Sequence, residues 1–150
     1  LESASPTVLQ SMNKKLDLSQ VIEAMRMAEE AQICFSANLI FGDVAETQDT
    51  IAESLSFWFQ HSRKHCLFLA EVKPYPGSAL FENCLKRGLI ADKANYYATI
   101  DEKPINMTQI DDASYAEILN LLAFLERRWL FVKRAKVIKE IIEENQKLGR

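Results

Sequence analysis

The chain has 150 residues, 48% of them hydrophobic and 26% charged, with 18 Lys and Arg against 21 Asp and Glu for a net charge of −3. That is one domain's length with enough apolar content for a real core, which excludes disordered and collagen-like classes, and the near balance of charge leaves no global field to recruit nucleic acid or anionic membrane. The longest apolar runs, such as EILNLLAFL, are broken by Glu117 and Asn120 and fall far short of the roughly 20 residues of a membrane span.

In chain order, Ser5 followed by Pro6 reads as an N-cap with Pro at N1, opening a short helix PTVLQSMN that buries Val8, Leu9 and Met12. Asp17 caps a second helix with Gln20 as its capping-box partner, and Val21, Met25 and Ala28 share its inner face. ICFSANLIF, from Ile33 to Phe41, is short, β-branched and aromatic, and stops at Gly42, which predicts a buried strand. Thr47 caps a third helix whose inner stripe is Ile51, Leu55 and Trp58 or Phe59. CLFLAEV, from Cys66 to Val72, is a second strand, and Ser78 caps a fourth helix closed by Gly88 at C′.

Residues 91–109 show no regular pattern. From about Asp111 a long helical pattern follows, with Ile118, Leu122, Leu125, Trp129 and Val132 at spacings of four and three, as one helix or as two with a joint near Arg128 to Phe131. Its basic residues, Arg127, Arg128, Lys133, Arg134, Lys136 and Lys139, followed by Glu140, Glu143 and Glu144, read as a solvated face rather than a nucleic-acid patch.

Strands separated by helical segments predict a parallel sheet with right-handed crossovers. Ligands of such architectures sit at the carboxyl ends of the strands, where the turns SANLIFGDVAET and EVKPYPGSALFENC both lie, so both are expected over one pocket mouth. The polar groups nearest those ends are Glu2, Lys14, Asn38, Asp43, Glu46 and Glu71. The three cysteines, Cys34, Cys66 and Cys84, are widely spaced, and Cys34 and Cys66 begin apolar runs, which favours buried small hydrophobes over a disulfide or local metal cluster. His61 and His65 flank a helix end, where solvation is the expected role. No nucleophile elbow, HExxH, Walker A or dinucleotide-binding motif occurs. The start lacks the order of a signal peptide, so a reducing cytoplasm is the default compartment.

LESASPTVLQSMNKK, ANLIFGDVAET and VKPYPGSALFENCLKRGLI, in this order and spacing, resemble successive motifs of the radical S-adenosylmethionine (SAM) superfamily. More narrowly they resemble its cobalamin-associated and Mg-protoporphyrin ester cyclase-like Fe–S members, whose helical extension is similar to INMTQIDDASYAEIL. The resemblance implies an α/β fold in which residues 1–90 are the C-terminal half of a partial (βα) barrel and residues 91–150 a helical extension, with Leu1 and Glu2 the tail of a strand. It implies SAM and a [4Fe–4S] cluster as cofactors, generation of a 5′-deoxyadenosyl radical, an electron donor and a small-molecule substrate as partners, and cobalamin through an upstream domain in part of the group. The CxxxCxxC cluster motif is absent here, so the resemblance implies a catalytically inactive piece of a larger enzyme.

Position by position, the resemblance places Glu2 near the methionine ammonium and Lys14 by its carboxylate, where charges match. Asn38 falls at the ribose hydroxyls, Ile40 and Gly42 where adenine approaches the backbone, and Val72 and Lys73 at the end of the strand facing the base. GDVAET departs from the family's GDPGET turn at Val44 and Ala45, whereas PYPGS is intact and builds a rigid turn. Two alternatives carry no cluster: an α/β interaction module working through its C-terminal amphipathic helix, and a barrel enzyme using Glu46 or Glu71 as general base. A half barrel also exposes sheet edges, which invites dimerisation through an edge strand or the long helix.

Overall fold

The computed structural model describes residues 1–61, 66–102 and 104–147. The chain runs α1 (Pro6–Ser11), α2 (Leu18–Glu30), β1 (Ser36–Phe41), α3 (Gln48–His61), β2 (Cys66–Glu71), α4 (Ala79–Lys86), α5 (Lys93–Thr99) and α6 (Asp112–Lys147). His65 and the side chains of Cys66 and Lys133 lie outside what is described.

Local chemistry sets the helix starts. Asp17 accepts from the Ser19 N–H at 2.8 Å, Ser78 from the Phe81 N–H at 3.1 Å, and Asp92 from Ala94 and Asn95 at 2.9 and 3.1 Å, each relieving an orphan amide of the first turn. Thr47 and Thr50 cap α3 reciprocally, each N–H donating to the other's hydroxyl oxygen at 2.9 and 3.3 Å. Ser5 stands at the N-cap of α1, with Pro at the helix start, but its side chain makes no capping bond. Instead the N-terminal segment is tied to α3: the Ser3 and Ser54 hydroxyls are 3.0 Å apart and the Ala4 N–H donates to Ser54 Oγ at 3.0 Å. Gly88, at φ +72, follows α4 and donates to Leu85 O at 3.1 Å.

β1 and β2 pair in parallel, from Ser36↔Cys66 to Phe41↔Glu71. Alternation puts Leu39, Phe41, Leu67 and Leu69 on one face, where Ile51 and Trp58 of α3 and Tyr115 and Leu122 of α6 close a core. The rings of Trp58 and Trp129 meet edge to face at 4.9 Å, a geometry worth about 0.5–1.5 kcal/mol beyond burial. A second core joins Phe81 and Cys84 of α4 to Tyr96 of α5 and to Met107. Residues beyond 90 thus contribute to both cores.

Four sequence expectations are corrected. Among the described residues the sheet has two strands and the chain is mostly helical, so the partial barrel is not the architecture. The outer edge of β2 meets α6, where Glu126 Oε1 accepts from the Leu69 N–H at 3.1 Å. Cys34 is exposed rather than buried, because pairing begins only at Ser36 and leaves residues 33–35 outside the ladder. The irregular stretch after Ala91 contains α5, and Val132, expected on the inner stripe of α6, is exposed; of the two readings of α6, one helix holds. No helix among the described residues is long and apolar enough to cross a membrane.

Candidate functional site

The carboxyl ends of β1 and β2 open onto a cleft of about 640 Å³, within the usual range for small-molecule sites. The two Gly- and Pro-bearing turns meet there: Asp43 and Val44 from the first, and Lys73, Tyr75 and Leu80 from the second segment and its helix, line the cleft with Glu2, Lys14, Ile40, Glu71 and Val72.

Each wall has a local cause. Glu2 is held beside β1 because its carbonyl accepts from the Ile40 N–H at 2.8 Å. Lys14 follows Asn13, which takes a left-handed φ of +54 after α1, a conformation Asn tolerates. The result is an ion pair, Lys14 Nζ to Glu2 Oε2, at 2.8 Å. The second turn is rigid: the Ser78 N–H donates to Tyr75 O at 3.1 Å, with Pro76 and Gly77 at the central positions and Gly77 at φ +84, the requirements of a type II turn. Pro74 is pinned through its carbonyl by the Tyr96 hydroxyl at 3.0 Å. Lys73 is ion-paired with Asp101, whose carboxylate raises the ammonium pKa.

The GDVAET turn is held from inside. Glu46 is 1% exposed, and its carboxylate accepts from the Thr50 hydroxyl at 2.7 Å and the Gly42 N–H at 3.3 Å. Burial raises its pKa, and the two hydrogen bonds pull the other way. Its carbonyl receives the Gln109 N–H at 3.0 Å. With both side-chain oxygens committed to the loop, Glu46 acts as its internal brace. Val44 and Ala45 are not among the positive-φ residues, so the substituted turn needs no left-handed backbone at those positions.

Of the residues singled out from sequence, the cleft gathers Glu2, Lys14, Ile40, Val72 and Lys73. Asn38 is exposed on the same strand face as Ile40, opposite Phe68, and Gly42 is buried behind the cleft against Tyr115; neither lines it. Asn13, Tyr75, Leu80 and Asn83 line it and were not anticipated. Asn directly after a helix was the available signal for Asn13. The His61 ring lies 4.8 Å from that of Phe57 in a tilted contact, on the helix that precedes β2 in the chain, and does not line the cleft.

The donor set separates the two implied cofactors. The Lys14–Glu2 ion pair beside apolar Ile40, Val72 and Leu80, in a cleft that Asp43, Glu71 and Lys73 also line, suits a zwitterion joined to a flat ring, the chemistry of SAM. An iron–sulfur cluster does not fit: among the described residues no group of three or more His, Cys, Asp or Glu side chains could hold a metal ion. Cys34 is exposed and Cys84 sits in the second core, where burial raises its thiol pKa.

Over 102 residues, 67% of its length, the chain is 28% identical to a protein of Pyrococcus horikoshii named an uncharacterized methyltransferase, and it spans 22% of that relative. No family model matches the chain.

Proposed function

We propose that this chain is the SAM-binding segment of a larger SAM-dependent enzyme of the radical type, whose cluster ligands, electron-donor site and any cobalamin site are carried by residues other than these 150. The observation that supports it is the cleft itself: two turns remote in sequence converge on the Lys14–Glu2 pair and an apolar wall. The similarity to a methyltransferase is in keeping with SAM as the ligand.

In this reading Lys14 takes the methionine carboxylate and Glu2 the ammonium. Binding then replaces one solvent-facing ion pair, worth little by itself, with two charge-matched contacts. Ile40 and Val72 offer the surface on which adenine lies, and Lys73 borders it with its charge neutralised by Asp101. Gly42 and the Glu46 brace set the shape of the loop. When bound, SAM supplies either a transferable methyl group or, given an electron, one-electron chemistry. The isolated chain binds without turnover, because among the described residues no set of side chains could hold the cluster. The expected compartment is the cytoplasm, and the substrate a small molecule.

The test is product analysis on the full-length enzyme, purified anaerobically and incubated with SAM with and without dithionite. Reductant-dependent 5′-deoxyadenosine supports the radical reading. S-adenosylhomocysteine formed equally without reductant replaces it with polar methyl transfer, and neither product removes both.

A further inference from the structure

The cleft carries more negative charge than the Lys14–Glu2 pair balances. Its charged lining is Glu2, Lys14, Asp43, Glu71 and Lys73. Glu2 and Lys14 answer each other, and Lys73 is taken by Asp101, which does not line the cleft. Asp43 and Glu71 remain, and neither is in an ion pair among the described residues.

Asp43 is the more deeply set of the two, at 5% exposure. Its Oδ1 accepts from the Ala45 N–H at 2.9 Å, which fixes the side chain to its own turn. Its Oδ2 has no partner among the described residues and is not among the side-chain oxygens sealed from solvent. A carboxylate oxygen taken this far out of water without a donor is costly, and the cleft that Asp43 lines is where a donor or a cation can reach it.

With Lys14 on the carboxylate of SAM and Glu2 on its ammonium, the amino-acid end is neutral overall. The charge left over is the single positive charge on sulfur, and Asp43 and Glu71 are the groups of the cleft free to meet it. Attraction between them is stronger in a partly dry cleft than in bulk water. Either fate of SAM removes that charge. The methyl group leaves without its bonding pair, or one added electron breaks a carbon–sulfur bond, and in both cases a neutral thioether remains.

We infer that Asp43 is a specificity-determining residue of the cleft, selecting ligands of net positive charge, so that SAM is held and its spent thioether is released. This rests on the SAM reading of the cleft.

Competition calorimetry on the 150-residue chain tests it with three probes: SAM, S-adenosylhomocysteine, and sinefungin, in which an ammonium-bearing carbon replaces the methylated sulfur. The expected result is that SAM and sinefungin each bind about tenfold or more tighter than S-adenosylhomocysteine. Asp43→Asn should weaken SAM and sinefungin about fivefold or more and leave the affinity for S-adenosylhomocysteine unchanged. Asn keeps an acceptor for the Ala45 N–H, and Asp43→Ser, whose hydroxyl can serve the same amide, repeats the test should the first variant not fold. Equal affinities for the three probes in the unsubstituted chain overturn the inference and leave the SAM reading standing. So does a preference that survives substitution of Asp43. Equal weakening of all three probes assigns Asp43 to the loop alone and overturns the inference too. Binding of none of the three removes the SAM reading, and the inference with it.

Discussion

The Tyr115 hydroxyl lies 2.6 Å from the point that a Cβ on Gly42 would occupy. Gly42 closes β1 at φ +110, a conformation that L side chains rarely adopt, and α6 approaches it closely because Tyr115 is buried there. Two independent reasons therefore require glycine, one of conformation and one of space. Burial, together with the charges of Glu71 and Glu46, raises the phenol pKa, so Tyr115 stays neutral.

Gly42→Ala should destabilise the chain by about 2–4 kcal/mol, combining positive-φ strain with overpacking. Tyr115→Phe in the same chain should recover part of that cost by removing the oxygen and leave the strain. Denaturant unfolding of the two single variants and the double variant measures the coupling, and strictly additive costs would show that the contact does not constrain the loop.

Glu46 gives a pH dependence with a defined sign. Its folded-state pKa is raised by burial, so between the unfolded value near 4.5 and the folded one the native state holds more protons than the unfolded chain. Stability from this group is therefore fully present below the unfolded pKa and falls as pH rises through the folded one. Glu46→Gln removes the titration, so the stability of the unsubstituted chain relative to this variant should decline from about pH 4.5 upward. A difference that stays constant with pH would show that Glu46 is not held away from water.

Glu126 covers the outer edge of β2 through the Leu69 N–H. Glu126→Ala should cost about 1–2 kcal/mol by leaving that donor without its acceptor, and should raise light scattering on mild heating as the strand edge is bared. Unchanged scattering together with unchanged stability would mean that water serves the edge equally well.

Local chemistry was legible in the sequence where residues a few positions apart decide it. Asp17, Thr47 and Ser78 mark helix starts, Gly88 an end, and the order of apolar segments gives a parallel pair of strands. The convergence of both turns on one cleft follows from that order. The strand count was not legible, because the alternation of strand and helix is the same for any parallel sheet and says nothing about what flanks β2. Here that flank is α6, through a contact between Leu69 and Glu126 far apart in the chain. Cys34 misled because an apolar run need not be paired along its whole length. α5 was missed because KANYYAT is short, and only Asp92 announced it. The pairing of Gly42 with Tyr115 is tertiary, and no local pattern encodes it.

Titration calorimetry of the 150-residue chain with SAM tests the central claim most directly, repeated with Lys14→Ala and with Glu2→Gln. The account predicts saturable binding that weakens about tenfold or more in each variant, with Lys14→Ala also losing much of the salt dependence. Absence of binding, or binding indifferent to both substitutions, would contradict the assignment of the cleft to SAM.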